Sequence, residues 1–281
     1  MREEIERAAR EGRPEGLARA LQGAKPGEVR VAVERIVAAA GKDGSLLDLA
    51  KGLAGRGEAV ARRVACGLVA ALPPREREEG MAVLRRLAED EEPTVRSAAG
   101  KACGTLLQRD FLGTSDALRG WLGASSPVVR CVVVAAVASA AQTGRPEWAE
   151  PLLKLLEPLL ADPDPLVRRS LGPRALGAGL LVAYPDTTFE YLARWSTSTD
   201  EQTLWNVAMA FSGPGAIRLV KKGLIVLRKL SLDERRPVRR AVSSAMWKLA
   251  RKKPEIVRPE LAQWLEDERR ADVARGALNH L

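Results

Sequence analysis

The sequence predicts an all-α solenoid of about seven to eight helix pairs, and three observations lead there. First, a Val-Arg or close equivalent, followed by small apolar residues, recurs along the chain. It stands at Val29-Arg30, Val60-Ala61-Arg62-Arg63, Val95-Arg96, Val129-Arg130, Val167-Arg168, Val238-Arg239 and Val273-Ala274-Arg275. From Arg30 through Arg63, Arg96, Arg130, Arg168 and Arg239 to Arg275 the steps are 33, 33, 34, 38, 71 and 36 residues. The 71 is two ordinary steps, so one unit near Leu204-Trp205 has lost its arginine and kept its place. A fixed period in this range marks stacked units, none of which buries its apolar face alone. Second, the segments between anchors carry apolar residues at three- and four-residue spacing, which is helical. Third, no segment alternates with the two-residue period of a strand.

Each unit reads as two helices. The first helices are the Leu-rich stretches Leu46 to Leu53, Met81 to Leu87, Leu118 to Leu122, Trp148 to Leu160, Phe189 to Trp195, Ile217 to Leu230 and Ile256 to Leu265. Turns such as Asp90-Glu91-Glu92-Pro93, Ser125-Ser126-Pro127 and Asp162-Pro163-Asp164-Pro165 follow. Proline suits the first turn of a helix, where its missing N–H would have no partner. The anchor then opens the second helix, with small residues such as Ala98, Ala99 and Ala102 toward the packed side. The consensus residues of tetratricopeptide and ankyrin units are absent. The order of acidic or proline turn, Val-Arg and alanines, as in Asp90 to Ala99 and Asp162 to Leu171, resembles HEAT repeats. The expectation is one HEAT-like solenoid over residues 1–281, near-neutral over 1–214 and basic over 215–281, with a concave basic face.

Composition narrows the chemistry. Cys66, Cys103 and Cys131 fall on three different second helices without paired spacing, which argues against a disulfide framework or zinc site. His280 is the single histidine and sits one residue from the end, so histidine-based catalysis and metal binding are not expected. No phosphate-cradling glycine motif occurs, and no cofactor is expected. The longest uncharged apolar run, Cys131 to Ala141, falls well short of the roughly 18–20 residues of a membrane span. The start, Met1-Arg2-Glu3-Glu4-Ile5, lacks the apolar core of a signal peptide, so the expected location is cytoplasmic with no membrane partner.

The net charge of +9 is localised. Residues 215–281 hold 17 lysines and arginines against eight carboxylates, whereas residues 1–214 balance at 28 of each. Arg218, Lys221, Lys222, Arg228 and Lys229 form one cationic stripe at helical spacing. Arg236, Arg240, Ser244, Lys248 and Arg251 form another on the next helix, with Trp247 beside it. Basic stripes with hydroxyls and an aromatic on consecutive repeats suit a phosphate backbone. The predicted nucleic-acid-binding residues are Arg168, Arg169, Trp205, Lys221, Lys222, Arg239, Arg240, Ser244, Trp247, Lys248, Arg251 and Lys252.

Three stretches are similar to the DNA alkylation repair family of HEAT-like proteins, whose founders are bacterial alkylpurine DNA glycosylases. They are Leu166 to Pro185, Leu192 to Phe211 and Pro237 to Leu281. The resemblance implies binding of alkylated DNA in a concave basic groove, with an aspartate, two tryptophans and an arginine serving excision. At those positions this chain has Arg169 for the aspartate, Pro165 and Ser244 for the tryptophans, and Ala208 for the arginine. Excision needs an anion where positive charge develops on the sugar, and Arg169 has the wrong sign. Carboxylates nearby, Asp162, Asp164, Asp186 and Asp200, read as turn caps. The reading is therefore a DNA-binding protein, on duplex or damaged DNA, without that chemistry. Two alternatives stand beside it: a glycosylase with relocated catalytic groups, and a protein scaffold with an acidic protein partner.

Overall fold

The computed structural model describes residues 2–25, 27–40, 45–141 and 145–279, and His280 lies outside them. Every regular element among the described residues is helical, and no strand forms. The all-α, HEAT-like repeat class is the observed one.

The helices group into two compact units, Met1–Ala136 and Val137–Leu281. The first unit contains α1 (Arg2–Arg10), α2 (Pro14–Ala20), α3 (Glu28–Ala39), α4 (Ser45–Ala54), α5 (Ala59–Ala71), α6 (Arg77–Leu87), α7 (Pro93–Arg109), α8 (Phe111–Leu122) and most of α9 (Pro127–Ala140). Here α2, α4 and α6 form one layer, and α1, α3, α5 and α7 form the other. The second unit contains α10 (Ala149–Leu156), α11 (Pro165–Ser170), a π-helix (Leu171–Leu180) running into α12 (Leu181–Ala183), α13 (Pro185–Trp195), α14 (Glu201–Ala210), α15 (Val220–Leu230), α16 (Arg236–Lys252), α17 (Pro254–Leu265) and α18 (Ala271–Leu278). Its second helices pack in sequence, the π-helix on α14, α14 on α16 and α16 on α18. The first helices α13, α15 and α17 each lie against the second helix that follows.

The predicted devices build these pairs. Pro93, Pro127 and Pro165 each occupy the first position of their helix. Buried residues recur at three and four on the inner sides, as in Val95, Ala99, Ala102, Cys103 and Leu106 of α7. The α16 helix repeats the pattern with Val238, Ala241, Val242, Ala245, Met246 and Leu249. Small side chains on these faces allow one second helix to sit close to the next.

The anchor arginine has a physical role that its spacing alone does not give. Arg96 Nη1 donates to the carbonyls of Asp90 (2.6 Å) and Glu91 (2.8 Å) in the turn before its helix. Arg130 does the same to Ala124 (2.6 Å) and Ser125 (3.2 Å). These carbonyls lie in the turn beyond the end of the preceding helix, outside its hydrogen-bond ladder. In the second anchor the residue that does this is Arg62, not Arg63, since Arg62 reaches the carbonyls of Arg56 and Gly57. The pattern is confined to Arg62, Arg96 and Arg130; Arg168 and Arg239 reach instead to Gln202 and to Arg269 and Asp272 of the following repeat, and the two end anchors differ again. Arg30 is exposed and pairs with Glu34 of its own helix, and Arg275 is exposed one residue beyond the anchor position, which Ala274 holds.

In the unit without an arginine, the fully buried Asn206 ties the layers instead. Its Nδ2 donates to the Leu160 carbonyl (2.9 Å), and its Oδ1 accepts from the Gly172 amide (3.1 Å). Gly172 lies in the π-helix, a rare widened winding that here also contains Pro173, which lacks an N–H. The π-helix is held close to its neighbour by glycine. A Cβ on Gly177 would stand 2.4 Å from the Ala210 carbonyl oxygen, so no other residue fits there without moving backbone.

Candidate nucleic-acid interface

The α16 helix carries the most exposed charge of the second-helix layer. Its start is fixed by Asp233, whose Oδ1 accepts from the Arg235 amide (2.9 Å), while Arg235 Nη1 donates to the Thr199 carbonyl (2.6 Å). With Val238, Ala241, Val242, Ala245, Met246 and Leu249 buried, a turn of 100° per residue leaves Arg236, Arg240, Ser244, Trp247, Lys248 and Arg251 on one outward stripe. Arg236, Arg240, Lys248, Arg251 and Lys252 are all exposed. None of the five pairs with a carboxylate among the described residues. Lys248 Nζ reaches the Ser212 hydroxyl (3.4 Å), and the Arg251 guanidinium stands 5.6 Å from the Trp247 ring centre.

Shallow grooves flank the stripe. Toward α18, Ser243 donates to the Val273 carbonyl (2.8 Å), and a groove of about 590 Å³ runs beside Arg236, Arg240, Ser244, Asp272 and Gly276. Toward the end of α14, one of about 320 Å³ is lined by Ser212, Pro214, Lys248, Arg251 and Lys252. Two further exposed cations stand on the α11 and π-helix segment. Arg169 donates from Nε to its own helix at the Pro165 carbonyl (3.2 Å), and Arg174 is exposed, with no partner among the described residues. Arg174 was not among the residues predicted from sequence. The signal available was the Gly-Pro-Arg run at 172–174, which is unsuited to an uninterrupted α-helix.

Several predicted residues do not join this face. Lys221 and Lys222 belong to α15, in the first-helix layer. Lys222 Nζ binds Asp186 Oδ1 of α13 (3.0 Å) and stands 5.5 Å from the Phe189 ring centre. The expectation that both basic stripes line one hollow is therefore corrected. The apolar sides of α15 and α16 pack together, so their charged sides face away from each other. Arg168 and Trp205 are committed to each other, with the guanidinium 5.0 Å from the ring centre and Nη1 on Gln202 Oε1 (2.5 Å). Arg239 is likewise engaged, donating to the Arg269 carbonyl (3.0 Å) and pairing with Asp272. These two arginines occupy the anchor position, whose side chain reaches into the neighbouring repeat.

The positions matched to the family's excision residues differ from one another in placement. Arg169 is exposed, Pro165 begins α11, Ala208 is buried in α14 and Ser244 is half-buried. Asp164 caps α11 by accepting from the Leu166 amide (2.7 Å), and Asp200 caps α14 by accepting from the Thr203 amide (2.7 Å). Asp162 accepts from the Asp164 amide (2.9 Å) within the turn. Asp186, read from sequence as a cap, instead lies in the first turn of α13 and pairs with Lys222. Burial pushes the Cys66 thiol up to about 12 and the Cys103 thiol higher still, so both are held protonated. Among the described residues no cluster of three histidine, cysteine or acidic side chains is placed to hold a metal. No described helix is long and apolar enough to cross a membrane.

Comparison with known proteins yields no matching family model and no matching curated protein. Solved structures do match. The karyopherin Kap121p, solved with the extreme C-terminus of the phosphatase Cdc14p, is similar at a TM-score of 0.52 and 14% identity, covering 99% of this chain and 33% of that one. AlkD2 from Streptococcus mutans matches with a TM-score of 0.40 and 16% identity, covering 97% of this chain and 95% of its own. YibA of Escherichia coli matches at 0.42 and 15%, covering 99% and 95%. At 14% identity what is shared with Kap121p is the helical-repeat fold.

Proposed function

We propose that the protein binds DNA through the second-helix face of Val137–Leu281, gripping the phosphate backbone without excising bases. One observation carries the reading: five exposed cations on α16, with Arg169 and Arg174 on the same layer, form no ion pair among the described residues, and only Glu234 and Asp272 stand in the groove beside Arg236 and Arg240. Uncompensated like charges on one face repel one another, and an external polyanion relieves that repulsion. Arg236, Arg240, Lys248, Arg251 and Lys252 supply long flexible donors, and Ser244 supplies a hydroxyl between them. Contacts of this kind fix position on the backbone and carry no sequence information. The similarity of Leu166 to Pro185, Leu192 to Phe211 and Pro237 to Leu281 to alkylation repair proteins supports DNA as the polymer. The cation at Arg169 supports binding without glycosidic cleavage.

The test is a salt titration of binding to a fluorescent duplex of about 20 base pairs, following anisotropy. With roughly six phosphates contacted, affinity falls by about three orders of magnitude between 50 and 200 mM salt. Binding that is undetectable, or insensitive to salt, overturns the proposal. A parallel assay with alkylated DNA addresses chemistry. Release of 7-methylguanine or 3-methyladenine stays at the spontaneous rate, and release above it would restore the glycosylase reading.

A further inference from the structure

We infer that the outward face of α15 is a docking site for an acidic segment of a partner protein bearing one apolar anchor residue. This face lies in the first-helix layer, and the inference is independent of the DNA-binding reading. Ile225 stands at its centre and is 64% exposed. Lys221, Lys222, Arg228 and Lys229 lie four and three residues to either side, which places all four around it on the helix surface. The flanks are tied down. Lys222 pairs with Asp186 of α13, and Arg228 is bound through two nitrogens to Glu260 of α17. Between these fixed edges Lys221 and Lys229 are exposed, as is Arg218 in the 3-10 turn Pro214–Leu219 that leads into α15, and none of the three has a carboxylate partner among the described residues.

The combination selects the kind of partner. Three free cations call for carboxylates or phosphates, and the isoleucine separates those two. A phosphate backbone would satisfy Arg218, Lys221 and Lys229 but leave Ile225 against solvent. An anionic lipid surface needs a broad apolar stripe, and α15 offers one side chain outward. A peptide with a leucine or phenylalanine between glutamates or aspartates meets both the charge and the apolar centre. Burial of one such side chain is worth roughly tenfold to a hundredfold in affinity.

A phage-displayed library of random dodecapeptides, panned on the full chain, provides the test. The expected peptides carry acidic residues on both sides of a large apolar one. Synthesised and labelled, the best of them loses at least tenfold in affinity to Ile225→Asp and more to the Lys221→Glu, Lys229→Glu pair. It binds an Arg240→Glu, Lys248→Glu protein as tightly as the parent. All three sets of side chains are exposed, and thermal melts of each variant establish that folding is retained. The inference is overturned if no peptide is enriched, or if the peptides bind Ile225→Asp undiminished. It is equally overturned if Lys221→Glu, Lys229→Glu leaves peptide binding intact while abolishing binding to duplex DNA or to phosphatidylserine vesicles.

Discussion

The two basic helices α15 and α16 look alike in sequence and differ in what their charges do. On α15, Lys222 and Arg228 reach sideways to Asp186 and Glu260 on neighbouring first helices, and part of the charge is spent holding that layer together. On α16, Arg236, Arg240, Lys248, Arg251 and Lys252 form no ion pair among the described residues. Charge density along a helix therefore says little about binding until the layer and its neighbours are known. The useful distinction is between cations consumed by the stack and cations left over.

That distinction is tested most severely at Arg62, where the arginine is wholly consumed. Its guanidinium meets both Asp90 oxygens (2.6 and 3.0 Å), and the two side chains are only 9% and 7% exposed. Arg62→Ala leaves the buried Asp90 carboxylate without its cation, with only the Glu92 amide still donating to it (2.9 Å), and takes the Arg62 donor from two turn carbonyls. It is expected to cost about 3–5 kcal/mol of stability, measured by urea unfolding. A loss below about 1 kcal/mol would break the division between structural and free cations. The opposite case is Arg240→Glu with Lys248→Glu. Two reversals among about six phosphate contacts should weaken duplex binding by roughly a hundredfold at fixed salt, with the melting temperature unchanged.

How far the sequence carried these assignments depended on whether a property is local. Repeat period, helix pairs, proline starts and the caps Asp164 and Asp200 follow from neighbouring residues and were all legible. The α16 stripe was legible too, because helical spacing fixes one side of one helix. Which side of the layer a stripe faces depends on whether its helix is first or second in the pair and on residues some 30 positions away. Asp186 and Glu260 stand 36 and 32 residues from their basic partners, so the fate of Lys222 and Arg228 could not be read from spacing. The same holds for Arg168, whose partners Gln202 and Trp205 belong to the next repeat. The π-helix was legible only as the break at Gly172-Pro173; the need for Gly177 was hidden, since it comes from the backbone of Ala210 and Gly213 in the next repeat.

A smaller effect separates the two layers by pH. Glu260 is buried, and its carboxylate accepts from Arg228 Nε and Nη2 and from Trp264 Nε1 (2.7 Å). The Arg228 hydrogen bonds, helped by Trp264, hold its pKa below the usual carboxylate value against the opposing effect of burial. A group with a depressed folded pKa stabilises the protein above its unfolded pKa, near 4.3 for glutamate, and loses that contribution as pH falls through the lower folded value. Glu260→Gln should cost about 1–2 kcal/mol at neutral pH, since Arg228 is half exposed and partly screened. The gap in melting temperature from the parent should narrow only below about pH 4. A gap that is constant across the acid range would mean the ion pair contributes nothing.

The smallest expected effect is the most informative about faces. Lys221→Glu with Lys229→Glu changes the net charge by as much as the α16 pair does, and both variants keep the fold. If DNA simply followed total charge, the two proteins would lose affinity equally. If the polymer lies along the second-helix face, the α15 charges act only through solvent across the thickness of the layer. That exceeds the Debye length of about 8–10 Å at physiological salt, so screening reduces their influence to within about threefold. The comparison is made at one ionic strength near 150 mM and repeated at 50 mM, where longer-range attraction re-emerges. Equal losses for the two variants at 150 mM would place the DNA on neither face in particular, and α16 would lose its claim to be the interface.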